Sequence, residues 1–193
     1  MTKRNAFELL MKSATKSVKR VTDKPQQIRM FSQNAPSKDI VTKKAVPKNI
    51  VSEQESESYD YILQFDGGSR GNPGISGCGS VIYYRGNEIW NRSVYLGDKY
   101  TNNYAEYFGL IYGLIGANQL QIKDLKIEGD SQIIINQITG KFNVKSELLK
   151  PLHENAVKQL TLFHNVSVNH IYRDKNKRAD ELANIAMDSK TTQ

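Results

Sequence analysis

The chain has 193 residues, of which 38% are hydrophobic, and it carries a formal net charge of +7. This length is enough for one domain with a sizeable core and an appendage, and the low hydrophobic content favours a polar segment outside that core. No apolar run is as long as a membrane span, so we expect a soluble protein without a membrane partner. The single cysteine, Cys78, excludes a disulfide framework and a cysteine-ligated metal site, and it favours a reducing compartment.

The positive charge is concentrated near the N-terminus. Residues 1–58 hold 12 Lys/Arg against 6 Asp/Glu, whereas residues 59–193 hold 15 against 14. Residues 1–58 also contain only two aromatic side chains and end in a run of serine and glutamate. We therefore predict a flexible basic arm and linker over 1–58, a folded domain over 59–189 and a short tail over 190–193. The arm suits a nucleic acid or another polyanion as its partner, and an ordinary solvated tail is the alternative.

Two further hypotheses concern the arm. Residues 6–11 can form a short amphipathic helix that docks into a groove of a partner, such as a replication protein. The scattered basic residues and the run Arg29-Met30-Phe31-Ser32 resemble a mitochondrial presequence with its processing site, although Glu8 and Asp23 are unusual there. We expect an intracellular protein in the nucleus or cytoplasm, with the mitochondrion as the alternative.

From Tyr59 onward, the pattern is typical of an α/β domain. Alternating apolar residues and turn signals predict a meander of three strands, followed by helices that alternate with two more strands. The fourth strand lies parallel to the first if a helix connects it back, so we predict a five-stranded mixed sheet flanked by helices, in a monomer. The predicted strands are 59–65, 78–84, 88–95, 125–130 and 166–172, and the predicted helices are 102–119, a segment ending at 138, 145–163 and 177–187.

Asp66 ends the first predicted strand and is followed by a glycine-rich loop. Residues 67–74 contain four glycines and one proline. A carboxylate beside glycines, which let backbone approach closely, suits a metal or phosphate site. An ordinary Asp-Gly hairpin turn is the alternative.

Three later acids fall at comparable positions. Glu106 lies in the first turns of the first helix, Asp130 ends the fourth strand, and Asp180 lies in the first turn of the last helix. Strand ends and helix starts meet at the carboxyl edge of parallel strands, so we expect these acids to converge with Asp66. The alternative is that each acid caps a helix or lies alone on the surface.

Four converging carboxylates repel one another strongly unless a cation lies between them. Hard oxygen ligands, without cysteine and with few histidines, favour Mg²⁺, with Mn²⁺ as a substitute. Two such ions about 4 Å apart suit in-line displacement at a phosphodiester, because one activates the attacking water and the other stabilises the leaving 3′-oxygen.

Four sequence blocks around these acids resemble the signature blocks of the type 1 ribonuclease H family and occur in the same order. The resemblance covers about residues 59–189, and the runs 144–152 and 170–173 look more like the archaeal and plant branch than the bacterial one. It implies a ribonuclease H-like fold and an endoribonuclease that cleaves the RNA strand of RNA–DNA hybrids, leaving 5′-phosphate ends. The blocks are Phe65–Gly74, Thr101–Glu106, Gly129–Gln132 and Asn176–Ala183.

The resemblance also implies roles for individual residues. The four acids named above would be the catalytic metal ligands. Amide side chains match positions that line the minor groove of the hybrid and read ribose 2′-hydroxyls, which an amide suits because it both donates and accepts hydrogen bonds. Helix capping and turn chemistry are the alternatives. The amides are Asn72, Asn102, Asn103 and Gln132.

A histidine ten residues before Asp180 has two interpretations. His170 matches the place where bacterial members carry a histidine that aids product release or proton transfer, so it is a catalytic candidate. Strand alternation places it with Val166 and Val168, which makes a buried structural histidine the alternative. If His170 is structural, Arg173 could assist at the leaving phosphate.

The chain departs from the bacterial pattern between the middle helices. Bacterial members often carry a basic protrusion there, whereas residues 140–152 contain only three lysines. We hypothesise that the arm supplies the missing phosphate contacts. The rival interpretations of the whole chain are a non-catalytic hybrid-binding module, a related nuclease such as a junction resolvase or integrase, and a detached reverse-transcriptase domain.

Overall fold

A computed structural model describes residues 47–50 and 59–190. Its centre is a mixed sheet of five strands in the order β3-β2-β1-β4-β5, which confirms the predicted fold class. The first three strands form an antiparallel meander, and β4 and β5 run parallel to β1. The strands are β1 (Tyr61–Arg70), β2 (Gly74–Tyr84), β3 (Asn87–Tyr100), β4 (Asp124–Gly129) and β5 (Asn165–His170).

Helices cover both faces of the sheet. On one face, Leu110 and Leu114 of the first helix share a core with Phe65 of β1. On the other face, Leu182 of the last helix packs with Val81 of β2. None of the helices in the described ranges is long and apolar enough to cross a membrane. The helices are α1 (Asn102–Gln119), α2 (Gln132–Ile138), α3 (Lys150–Leu160) and α4 (Lys177–Asp188).

The third helix is shorter than the predicted segment 145–163. It begins at Lys150, and Pro151 lies in its first turn, where a missing N–H costs no intrahelical hydrogen bond. Residues 139–149 instead form turns and irregular backbone that link α2 to α3. The sequence pattern overestimated the helix because the apolar residues before Pro151 continue its periodicity without being helical.

The predicted glycine loop at 67–74 is wrong in most of its length. β1 continues through Arg70 and β2 begins at Gly74, so only three residues form the turn. Glycines in these two strands allow helices to pack closely against the sheet. A Cβ on Gly67 would lie 2.1 Å from the backbone nitrogen of Glu106 in α1, and a Cβ on Gly79 would lie 2.3 Å from the carbonyl oxygen of Ala179 in α4.

Two residues of the predicted arm, Asn49 and Ile50, contact the domain. Asn49 donates side-chain hydrogen bonds to the carbonyl oxygens of Leu160 (2.8 Å) and Phe163 (2.9 Å), at and just beyond the end of α3. Its own carbonyl accepts a hydrogen bond from the N–H of Val166, and Ile50 pairs with Val166 beside β5. The predicted helix at 6–11 and the motif at 29–32 lie outside the described residues, and the boundary at residue 58 stays a prediction.

Candidate active site

Two parallel strands bring the first pair of acids together. Phe65 in β1 is paired with Gly129, the last residue of β4, so the next residues, Asp66 and Asp130, lie side by side where β4 ends. Glu106 reaches this edge from the second turn of α1, which Gly67 allows to approach β1 closely. Carboxylate oxygens of these three acids all lie within 4.8 Å of one another. The expected convergence therefore holds for these three acids.

The cluster is buried, which makes its negative charge unfavourable without a cation. Asp66 is 8% exposed and Glu106 is 4% exposed. Burial, followed by the charge of Asp130, raises the pKa of Asp66 to about 7. Burial, followed by the charge of Asp66, raises the pKa of Glu106 well above its usual value, and the N–H of Gly67 opposes both shifts only in part.

The donor set of the cluster fits a divalent cation. One oxygen of Glu106, Oε2, is buried and has no hydrogen-bond partner among the described residues. The other, Oε1, accepts a long 3.4 Å hydrogen bond from the side chain of Asn102. A buried carboxylate with an unpaired oxygen, beside two further carboxylates, is suited to bind Mg²⁺ or Mn²⁺.

Asp180 lies in the same cleft but outside the group of three. Arg173 donates to its Oδ1 at 2.5 Å, and the side chain of Asn184 donates to its Oδ2 at 3.0 Å. The cleft has a volume of about 380 Å³ and also contains Asp66 and Glu106 in its lining. The fourth predicted ligand is therefore at the site, with both oxygens hydrogen-bonded to neighbouring side chains.

One fully buried polar residue received no role from the sequence. Asn176 donates from Nδ2 to the carbonyl oxygen of Phe65 (2.8 Å) and to Oδ1 of Asp130 (3.1 Å). It directly precedes α4, and therefore connects β1, the end of β4 and the helix that carries Asp180. The sequence offered a weak signal, since Asn176 opens the fourth block, but its partners lie far away along the chain.

The predicted hybrid-reading amides occupy two places. Asn102, Asn103 and Gln132 line the cleft. Asn72 lies in the β1–β2 turn, where its Oδ1 accepts a hydrogen bond from the backbone N–H of Asn102 at 2.8 Å. Asn72 thus satisfies the first N–H of α1, so it has a capping role in this structure, while its contact with substrate stays a prediction.

His170 ends β5 beside Asp130 but is not among the residues that line the cleft. Its Nε2 lies 3.1 Å from the main-chain oxygen of Asp130. The alternative of a buried histidine is wrong, because the side chain is exposed where β5 ends. Its catalytic role stays a prediction.

Comparisons with known proteins agree with this arrangement. A family model described as reverse transcriptase-like matches residues 64–186, more than half of the chain and all four blocks. The chain is 37% identical to ribonuclease HI of the archaeon Halobacterium salinarum over an alignment of 132 residues, and 64% of this chain and 62% of that protein are covered. It is 35% identical to a ribonuclease H of Hydrogenovibrio crunogenus, covering 65% of this chain and 94% of that protein.

A solved structure has the same fold. The LC11 ribonuclease H1, solved in complex with an RNA/DNA hybrid, superposes with a TM-score of 0.64 at 36% identity, covering 68% of this chain and 99% of that one. Mycobacterial relatives are longer, and the chain spans about a third of their length. The ordered blocks, the sheet and the relatives agree, and we conclude that the chain belongs to the type 1 ribonuclease H family.

Proposed function

We propose that this protein is an endoribonuclease that hydrolyses the RNA strand of RNA–DNA hybrids with two divalent cations, Mg²⁺ or in its place Mn²⁺, and leaves 5′-phosphate ends. The observation that carries this proposal is the convergence of Asp66, Glu106 and Asp130, the first two of them buried, in the lining of one cleft. A non-catalytic binding module gains nothing from clustered negative charge where phosphates would lie.

In this proposal, the carboxylates serve as ligands of the cations. Asp66, Glu106 and Asp130 would hold the cations, with Asp180 joining them from α4. When bound, the cations would activate the attacking water and stabilise the leaving 3′-oxygen. Asn176 holds Asp130 in place from behind through its hydrogen bond to Oδ1.

Selection of RNA is assigned to the amides at the cleft. Asn102, Asn103 and Gln132 line it beside the carboxylates, and an amide can donate to and accept from a ribose 2′-hydroxyl. The hybrid bound to LC11 ribonuclease H1 supports the same class of substrate here.

The first experiment compares the intact chain with Asp66→Asn on a labelled RNA–DNA hybrid in Mg²⁺. We expect cleavage of the RNA strand alone, with 5′-phosphate ends, and we expect the variant or EDTA to abolish it. A four-way DNA junction serves as the second substrate, because preferential cleavage of the junction would favour the resolvase alternative. Binding of the hybrid without cleavage in Mg²⁺ or Mn²⁺ would instead support the binding module.

We propose that the protein acts as a monomer. We also propose that the basic arm supplies contacts to phosphates of the hybrid. The segment between α2 and α3, where bacterial members carry a basic protrusion, is short of cations. Deleting residues 1–46 removes most of the arm and keeps the contacts of Asn49 and Ile50. We expect a higher KM and a shallower dependence of KM on salt, because fewer counterions are released on binding. Unchanged KM and salt dependence would contradict this role.

A further inference from the structure

The cleft contains one positive side chain among its acids. Of the described residues that line it, Arg173 is the only basic one. It lies on the short 3-10 turn Arg173–Lys175 between β5 and α4, and its Nη2 donates to Oδ1 of Asp180 at 2.5 Å. Its charge also acts on the other acids, since it lowers the pKa of Asp66 and of Glu106 against the larger effect of burial.

The two sides of the site differ in whether their carboxylate oxygens already accept hydrogen bonds from side chains. On one side, Glu106 presents an unpartnered oxygen to Asp66 and Asp130. On the other side, both oxygens of Asp180 already accept hydrogen bonds, one from Arg173 and one from Asn184. A cation can therefore bind the first three acids through an oxygen that no described group occupies, Oε2 of Glu106, whereas a cation at Oδ1 of Asp180 would meet the positive charge of Arg173.

We propose that Arg173 is a displaceable countercharge that occupies Asp180 and weakens binding of the second divalent cation until the substrate arrives. This inference rests on the proposed two-cation function. The side chain of Arg173 is 76% exposed, so it can swing away from Asp180 without disturbing the core. Once released, its guanidinium is free to pair with an anionic phosphate, which would favour displacement when the hybrid is bound.

The test is calorimetric titration of Mn²⁺ into the full-length protein without nucleic acid. Arg173→Gln removes the charge and keeps much of the side-chain length. We expect its second Mn²⁺ to bind about tenfold more tightly than in the unmodified protein, with a smaller change at the first. Lys175→Gln is the matched control, because Lys175 is an exposed cation on the same turn, and we expect it to leave both affinities within about twofold.

Asp180→Asn separates a local effect from a general one. In that background, Arg173→Gln should no longer tighten the second Mn²⁺, because the acid that Arg173 occupies has lost its charge. An equal tightening in both backgrounds, or by Lys175→Gln, would overturn the proposal. So would unchanged or weaker second-site binding in Arg173→Gln, including the absence of a second Mn²⁺ from both proteins.

Thermal unfolding gives a second readout that does not depend on cleavage. In EDTA, Arg173→Gln should lower the Tm, because four acids lose their countercharge, and Mn²⁺ should then raise its Tm by more than that of the unmodified protein. A smaller rise would contradict the proposal. If the unmodified protein binds no Mn²⁺, the proposed function itself fails. If it binds Mn²⁺ and Arg173→Gln behaves identically, only the role of Arg173 fails.

Discussion

At the scale of single residues, the site contains carboxyl groups whose charged forms are unfavourable because they are buried and close to one another. Asp66 and Glu106 are buried beside each other and beside Asp130, and burial is the largest cause of their raised pKa values. Carboxyls in this state destabilise the metal-free protein once they ionise. This arrangement suits a cation site, because a bound cation would offset the negative charge of the carboxylates.

Asp66→Asn should therefore stabilise the metal-free protein at pH 8. The folded pKa of Asp66 is about 7 against an ordinary 3.8, so the folded state binds more protons between these values and stability falls as pH rises from about 4 to 7. Three units correspond to at most about 4 kcal/mol, and we expect the variant to recover about 1–3 kcal/mol. Urea unfolding in EDTA at pH 5 and pH 8 measures this.

Comparing the two pH values in both proteins provides a control. The pH dependence of the free energy of unfolding should be smaller in Asp66→Asn, and Mg²⁺ should stabilise the unmodified protein more than the variant. Identical pH dependence in the two proteins would show that Asp66 ionises normally when the protein is folded.

Asn176→Ala should damage both stability and catalysis. The substitution leaves the carbonyl of Phe65 and one oxygen of Asp130 without their donor, which we expect to cost about 1–3 kcal/mol of unfolding free energy. Because Asp130 loses its orientation, kcat should fall by about tenfold or more while KM changes little. Urea unfolding and steady-state kinetics on a hybrid measure the two effects.

Asn165→Ala is the control for Asn176→Ala. Its side chain makes an exposed hydrogen bond to Asp124 at the opposite end of β5 and β4. We expect a change of less than about 0.5 kcal/mol and normal kcat. Equal losses in both variants would mean that the position of Asn176 beside Asp130 has no special effect.

At the scale of elements, close packing of helices on both faces of β1 and β2 fixes the geometry of the site. Gly67 in β1 lets α1, which carries Glu106, approach the sheet closely. Gly77 and Gly79 in β2 do the same for α4, which carries Asp180. The sequence predicted both helices and the succession of strands and helices along the chain correctly. It assigned Gly67 and Gly68 to a loop, because a glycine that makes room for a distant helix looks the same in sequence as one that makes a turn.

Gly79→Ala should accordingly disturb the site from within a strand. The new methyl group would meet the backbone of α4, which cannot move aside as a flexible side chain can. We expect a loss of about 2–4 kcal/mol in unfolding free energy and a fall in activity as α4 shifts. Gly86→Asn, in the open β2–β3 turn where asparagine tolerates a positive φ, should cost less than about 1 kcal/mol. Urea unfolding of both variants compares the two losses.

At the scale of the whole molecule, two residues of the predicted arm, Asn49 and Ile50, contact the folded domain. The contacts of Asn49 and Ile50 with the end of α3 and with β5 join residues more than a hundred positions apart. The change in composition favours a boundary at residue 58. That boundary would leave Asn49 and Ile50 outside the folded domain, although both contact it. Composition reports where polar residues begin, whereas the contacts depend on one asparagine and one isoleucine.

Two deletions test where the body begins. Removing residues 1–46 should leave the unfolding free energy within about 0.5 kcal/mol, because the contacts of Asn49 remain. Removing residues 1–58 should lower it by about 1–3 kcal/mol, because two carbonyl groups at the end of α3 lose their donor and Ile50 leaves the core. Equal stability of the two truncated proteins, measured by urea unfolding, would place the boundary at residue 58 after all.

The sequence by itself determined the family, the order of the elements and the four acids, because these depend on local patterns and on motifs with fixed spacing. Only the tertiary structure decided that Glu106 has an unpartnered buried oxygen, that Arg173 occupies Asp180, and that Asn176 joins Phe65 to Asp130. The physical reason is distance along the chain. Burial and side-chain pairing arise where segments far apart in sequence meet, and no local pattern encodes which oxygen is left without a partner.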